Sequence, residues 1–278
     1  MATQKIAAYS DTVNAEDMSG VTVGDYSYKY RLLNGRWMPP YVTPERYALA
    51  RSIATRKGDI CYTSYPKSGS TWLAHILLLI TNRGDTPQKG TLRSHLHWVE
   101  SSWTSPRRRD ELDVLASPRI FKSHMPYDMA LGGNPAANPC RYVYIARNPK
   151  DVACSYYFFE RGKAWSGRYD GPWEHWLESF LAGRVQRGDW FDHVLGWWTA
   201  AQTAENILFL RYEDLLTSFG AELRRLAEFL GYELASDVLE RIEAKTSFAN
   251  MSNDRFSNMS EIEDFETFFR KGRIGSWK

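Results

Sequence analysis

The side chains able to do chemistry on an anion fall in separate clusters along the 278 residues. The densest is Ser64-Tyr65-Pro66-Lys67-Ser68-Gly69-Ser70-Thr71-Trp72, where Lys67 brings a full charge and Ser68, Ser70 and Thr71 bring hydroxyl donors. Asp59 to Tyr65 before it is short, alternating and β-forming, and Thr71 to Ile80 after it is apolar and helix-length. That order predicts strand, tight loop and helix, with successive amide N–H groups and the positive end of the helix dipole aimed at one point. A phosphate-like group is the natural occupant. An ordinary strand-to-helix turn with a solvated lysine needs no such density of donors. The ATP and GTP loop Gly-x-x-x-x-Gly-Lys-[Ser/Thr] is a poor match, because Lys67 precedes Gly69 and no first glycine exists. The loop is therefore P-loop-like but suited to a different phosphate donor, which leaves a nucleotide-binding, kinase-like protein as a disfavoured alternative.

Further cations stand where predicted strands end. Pro118 to Lys122 reads as a strand running into Ser123-His124-Met125-Pro126. Ligand sites of α/β proteins collect at the carboxyl ends of strands, so Lys122 and His124 face the same crevice as the loop. A lone histidine is more often structural; paired with a lysine at a strand end, the functional reading leads. Cys140 to Ala146 is the clearest strand, followed by Arg147 and by a helix with Asn148 as cap and Pro149 at its first position, which carries Ser155. Arg270-Lys271-Gly272-Arg273-Ile274-Gly275 joins cations to glycines; a charge run is usually solvated surface, and a second phosphate clamp is the sharper alternative. His95-x-His97 has no third ligand nearby, so no metal is expected there.

The elements that must position these groups read as follows. Residues 1–25 form a polar lead-in and 26–278 one domain, with Tyr28 to Pro40 a hairpin turned at Asn34-Gly35. A helix capped by Thr43 with Pro44 at its first position runs to Gly58. Residues 82–118, which include Arg107-Arg108-Arg109, show no clear periodicity. Helices over Pro172–Leu181 and Phe191–Thr203 carry Trp173, Trp176, Phe180, Trp197 and Trp198 as a core stripe. Ile207–Tyr212 is a buried strand, Gly220–Leu230 and Ser236–Ala244 are helices, and periodicity is lost from Phe248 to Phe269. Alternating strands and helices predict a single α/β domain with a central, mostly parallel sheet flanked by helices.

Composition narrows the class. Net charge of +2 points to neither nucleic acid nor membrane, so any anion site is local. Cys61, Cys140 and Cys154 are dispersed and odd in number, as for reduced thiols in a cytoplasmic protein. The polar start has no signal-peptide core, and Ile76–Ile80, the longest aliphatic run, is too short to span a bilayer. Asn250-Met251-Ser252 and Asn258-Met259-Ser260 match the glycosylation sequon as chance matches. Aromatic residues at 14% suit a pocket for flat or apolar ligands.

Taken together, Tyr65-Pro66-Lys67-Ser68-Gly69-Ser70-Thr71-Trp72, Arg147-Asn148-Pro149-Lys150-Asp151-Val152-Ala153-x-Ser155-Tyr156-Tyr157 and Arg270-Lys271-Gly272-x-x-Gly275-x-Trp277-Lys278 resemble the cytosolic sulfotransferase family, with Lys122-x-His124 between the first two. The resemblance implies transfer of a sulfuryl group from 3′-phosphoadenosine 5′-phosphosulfate (PAPS, leaving PAP) to a hydroxyl or amine of a small molecule, without a metal. It implies that Arg147, Ser155, Arg270, Lys271 and Gly272 hold the 3′-phosphate and that Lys67, Ser68, Gly69, Ser70 and Thr71 hold the 5′ end. Trp72 and Phe248 would sandwich the adenine, helped by Tyr212, Thr246, Ser247 and Met251. His124 would be the base, with Lys67, assisted by Lys122, neutralising the leaving oxygen. A PAPS-dependent dehydratase and a PAPS-binding module without turnover are the alternatives. Ser70 stands where the family usually has Thr. The resemblance also admits a homodimer, although the family's short dimerisation motif is absent from these residues, which stop at Lys278, and residues 1–60 match only loosely.

Overall fold

The computed structural model describes residues 18–101, 109–163, 167–259 and 269–278. Asn34 and Gly35 both take positive φ, 52° and 75°, the two-residue turn whose twist suits a hairpin. It joins β2 (Lys29–Leu33) to β3 (Arg36–Met38), and β1 (Val21–Val23) adds an antiparallel edge. Part of the predicted lead-in is thus a strand. Residues 1–17 lie outside the described residues.

Thr43 Oγ1 accepts from Arg46 N and Pro44 occupies the first position of α1 (Pro44–Arg51), as the cap signal predicts. The helix stops well before Gly58. Ser52 N closes it on Ala48 O and Leu49 O, and the following segment is held instead by the buried pair Asp59 and Arg119, through Arg56 N to Asp59 Oδ2 (2.7 Å) and Arg119 Nη2 to Ala54 O (2.9 Å).

β4 (Ile60–Thr63) runs into the loop and then α2 (Ser70–Thr81), while α3 (Arg109–Asp113) lies within the stretch that showed no pattern. Arg107 and Arg108 fall outside the described residues. β5 (Ile120–Ser123) and β6 (Arg141–Ala146) pair in parallel on either side of β4, and α4 (Pro149–Gly162) begins at the Asn148 cap, whose Oδ1 accepts from Lys150 N. The helices α5 (Trp173–Leu181) and α6 (Trp190–Ala201) bury Trp176, Phe180 and Trp197. Trp198, predicted to be core, is 48% exposed, because its neighbour Trp197 takes the inward position and the next residue on a helix turns about 100° away.

β7 (Ile207–Arg211) pairs with β6, completing a four-stranded parallel sheet in the order β5-β4-β6-β7. Tyr212, read as the strand's end, instead opens α7 (Tyr212–Thr217), which is followed by α8 (Phe219–Leu230), α9 (Ser236–Thr246) and α10 (Phe248–Asn253). The predicted α/β class holds, and the three pairings of this sheet are all parallel. Such a sheet is covered on both faces. One core packs α2, α8 and α9 through Leu73, Leu77, Leu223 and Ile242, and another packs Phe121, Tyr142, Tyr144 and Trp197 on the opposite side. The carboxyl ends of β4, β5 and β6 therefore emerge side by side, each delivering its successor residues to one place. No helix among the described residues is long and apolar enough to cross a membrane.

Candidate active site

The loop after β4 reverses direction by placing two residues in the left-handed region, Lys67 at φ 67° and Gly69 at φ 100°. Gly69 has no substitute: a Cβ there would stand 2.7 Å from Tyr212 Cδ2. The backbone closes on α2 through Leu73 N to Gly69 O, and Ser68 is fully buried with its Oγ unpartnered among the described residues. A buried hydroxyl without a partner is costly, and at a helix N-terminus it marks an anion's place.

His124 follows β5 and is 7% exposed. Its Nδ1 lies 2.8 Å from Ser64 O, and because a carbonyl only accepts, Nδ1 carries the proton and Nε2 keeps its lone pair. Burial, with the charges of Lys122 and Arg187, holds the ring well below its ordinary pKa, so it is neutral at pH 7. Glu100 fixes the turn: its Oε1 accepts from His124 N at 2.9 Å and from Ser123 Oγ at 2.8 Å. Two ammonium groups flank this region, each against an aromatic face, Lys67 Nζ 4.1 Å from the Phe159 ring centre and Lys122 Nζ 4.0 Å from that of Trp98. Burial lowers both to about 7; for Lys67 repulsion from Lys163, Arg147 and Lys122 adds to it.

At the end of β6, Arg147 lies with Cζ 4.5 Å from the Tyr212 ring centre, donates to Lys67 O (3.3 Å) and Arg273 O (3.1 Å), and has a buried Nε that is unpartnered among the described residues. The C-terminal segment is drawn to the same point by Asp151, fully buried in the first turn of α4. Its carboxylate accepts from Gly275 N and Ser276 Oγ, both at 2.9 Å, and Ser276 Oγ accepts from Arg270 Nη2 at 2.8 Å. Gly272, at φ 58°, lies against Phe248, and a Cβ would stand 2.1 Å from Phe248 Cδ2. Trp72 packs at 5.5 Å on Tyr212 and 5.8 Å on Phe219.

One cavity joins these groups. The residues anticipated from sequence, Lys67, Gly69, Ser70, Thr71, Trp72, Lys122, His124, Arg147, Ser155, Tyr212, Thr246, Phe248, Met251, Arg270, Lys271 and Gly272, all line it. Ser68 sits beneath the loop, and Ser247 does not face the cavity: its exposed Oγ caps α10 by accepting from Asn250 N at 3.3 Å. Sequence reasoning missed Glu100 and Asp151, which position His124 and the C-terminal segment, and the wall residues Tyr41, Trp98, Lys163 and Arg187. Asp151 had only its place in a helix's first turn as a signal; the others had none. Among the described residues no three His, Cys, Asp or Glu side chains gather to hold a metal.

The chain is similar to known proteins. The family described as sulfotransferase domain matches residues 57–278. Human Sulfotransferase 1C2 is 32% identical over 261 residues, 90% of this chain and 86% of its own, and mouse Sulfotransferase 1B1 is 37% identical over 231 residues, 80% and 76% respectively. A crystal structure of mouse sulfotransferase SULT7A1 complexed with PAP superposes with a TM-score of 0.75 at 29% identity, covering 89% of this chain and 86% of that one. Retinol dehydratase, crystallised with retinol and PAP, shares the fold at a TM-score of 0.75 and 21% identity, covering 95% and 89%.

Proposed function

Because the chain belongs to the sulfotransferase family, and is a PAPS-dependent sulfotransferase, we propose that His124 is its base, that Lys67 and Lys122 stabilise the leaving oxygen, and that the acceptor is a small molecule bearing a hydroxyl or amine. The residues fit a donor with two anionic ends. The 5′ end falls to Lys67, Ser68, Gly69, Ser70 and Thr71, where the Ser68 hydroxyl awaits a partner. The 3′-phosphate falls to Arg147, Ser155, Arg270, Lys271 and Gly272, where Arg147 Nε and Arg270 Nε are likewise buried and, among the described residues, unpartnered. Trp72, Tyr212, Thr246, Phe248 and Met251 would receive the adenine.

When bound, PAPS supplies an electrophilic sulfur joined through oxygen to a good leaving group, the 5′-phosphate. His124 Nε2 takes the acceptor's proton as that group approaches, the Ser64 carbonyl and Glu100 holding the ring and its backbone in place. Lys67 is carried on a strained left-handed turn at the N-terminus of α2, so its ammonium and the loop amides are set before any ligand arrives. An ammonium lowered to about 7 regains its proton beside a phosphate, since an adjacent negative charge favours the charged form. The aromatic wall excludes water from the proton's path.

The observation that carries this reading is the fixed tautomer of His124, a lone pair turned into a cavity lined by lysines. His124→Ala is expected to lower kcat by ~100- to ~10,000-fold while PAP affinity stays the same, because the base touches acceptor and not donor. Equal loss of both would refute the role. Mass analysis of products separates a sulfated acceptor from a dehydrated one. We further propose that the protein works in the cytoplasm, in keeping with its free cysteines.

A further inference from the structure

Charge on the acceptor side of the cavity exceeds what donor binding uses. Among the described residues no Asp or Glu lines the cavity, whereas Arg93, Lys163 and Arg187 do, beyond the cations assigned to the donor and its leaving oxygen. Such a wall disfavours an amine that arrives as a cation. Arg187 is the informative member. Its side chain is 1% exposed, and besides a long ion pair its guanidinium reaches, among the described residues, a thioether and a phenol, Nη1 at 3.4 Å from Met125 Sδ and Nη2 at 3.4 Å from Tyr41 Oη. The carboxylate it faces, Glu100, stands 4.0 Å away, and that oxygen is already engaged by Ser123 Oγ and His124 N. A guanidinium is a planar fork of donors shaped for a carboxylate, and a buried one is costly without such a partner.

The backbone holds this fork in place at some expense. Arg187 has φ 81°, a region unfavourable to any residue with a side chain. The turn is pinned by Gln186 N to Tyr28 Oη (2.9 Å), Arg187 N to Trp37 O (2.7 Å) and Tyr65 Oη to Gly188 O (2.8 Å). Beside it, Lys163 pairs with the buried Glu160 and donates to Gln186 Oε1 at 3.4 Å.

We propose that the acceptor is a small hydroxylated acid whose carboxylate sits on Arg187, with Lys163 alongside, while its hydroxyl faces His124. This rests on the transfer reading above and adds the acceptor's charge. The hydroxyl oxygen bonds to sulfur, the sulfur–oxygen bond to PAP breaks, and the hydroxyl proton goes to His124; the carboxylate is unchanged throughout.

The test is a charge series on one phenol: 4-hydroxyphenylacetate, its methyl ester and tyramine, titrated calorimetrically into the PAP complex and then assayed with PAPS. The acid is expected to bind at least about tenfold more tightly than the ester, with tyramine weakest. Arg187→Gln should remove most of that advantage while leaving ester and PAP affinities within about twofold. The wild-type series decides even where Arg187→Gln fails to fold, and Lys163→Gln, expected to reduce the advantage less, supplies a second variant. Absence of an advantage for the acid, or an advantage that survives in folded Arg187→Gln, overturns the proposal. An acid that binds in this order but is never sulfated from PAPS would instead overturn the transfer chemistry and leave the charge preference standing.

Discussion

The two halves of the cavity are built differently. The half assigned to the donor relies on local turns: the Lys67 loop and Arg147 each sit where a strand meets a helix, so a few consecutive residues supply amides, hydroxyls and charge together, while Arg270 and Lys271 arrive on the C-terminal segment. The acceptor half is assembled across the chain, from Tyr41 after the hairpin, Trp98 before β5, Lys163 after α4 and Arg187 before α6. Backbone geometry can present a phosphate site within a few residues, because a helix N-terminus and a left-handed turn suffice. Recognition of an acceptor has no such local solution. It needs side chains from separate elements converging at fixed distances, as Glu100 does by accepting from Ser123 Oγ and His124 N.

This contrast can be broken at the donor side first. Lys67→Met is expected to lower kcat by roughly 100-fold or more and to weaken PAPS as well, since this lysine acts on donor and leaving oxygen together. A variant with unchanged kcat would remove Lys67 from the chemistry. Next in size, Arg147→Ala should weaken PAP by about 10- to 100-fold, the loss of charge-assisted hydrogen bonds, and should hardly affect adenosine 5′-phosphosulfate, which lacks the 3′-phosphate. Parallel titrations of the two nucleotides measure the difference; equal losses would move Arg147 out of the 3′ clamp. Gly272→Ala places a Cβ into Phe248 and is expected to cost about tenfold in PAP affinity with little change in the acceptor's KM. The acceptor half should be indifferent to it.

The smallest effect is one of pH. In the free protein Lys67 and Lys122 are lowered to about 7 by burial, so above that pH they are largely neutral. A bound phosphate stabilises the protonated form and raises both values, so binding takes up protons between about pH 7 and the usual lysine range, and PAP affinity falls as pH rises through that window. Calorimetry in buffers of different ionisation enthalpy reads this directly. A pH-independent affinity with no proton uptake would mean that the lysines stay charged in the empty site.

Much of this molecule is visible in its residues. The hairpin at Asn34-Gly35, the caps at Thr43 and Asn148, the buried strand Arg141–Ala146 and the loop around Lys67 each follow from local chemistry: positive φ tolerance, a side-chain acceptor ahead of a helix, β-forming apolar runs. The end of α1 and the exposure of Trp198 were not readable, because a buried Asp59–Arg119 pair and a competition between two adjacent tryptophans for one inward position exist only once the elements have packed. Ser247 reads as a ligand group from its place beside Phe248, and its role as the cap of α10, accepting from Asn250 N, emerges only in the folded chain.

The sequence by itself determined the parallel α/β scaffold, since strand, loop and helix signals act without reference to distant partners, and through its resemblance to the family it proposed two clamps for the donor and His124 as the base. Only the tertiary structure decided which nitrogen of His124 is free, by setting Ser64 O 2.8 Å from Nδ1, and brought Arg187 beside Tyr41 and Met125. The physical reason is range: dihedral preferences and helix dipoles act over a few residues, whereas desolvation and the pairing of buried charges depend on which chain segments have been folded against one another.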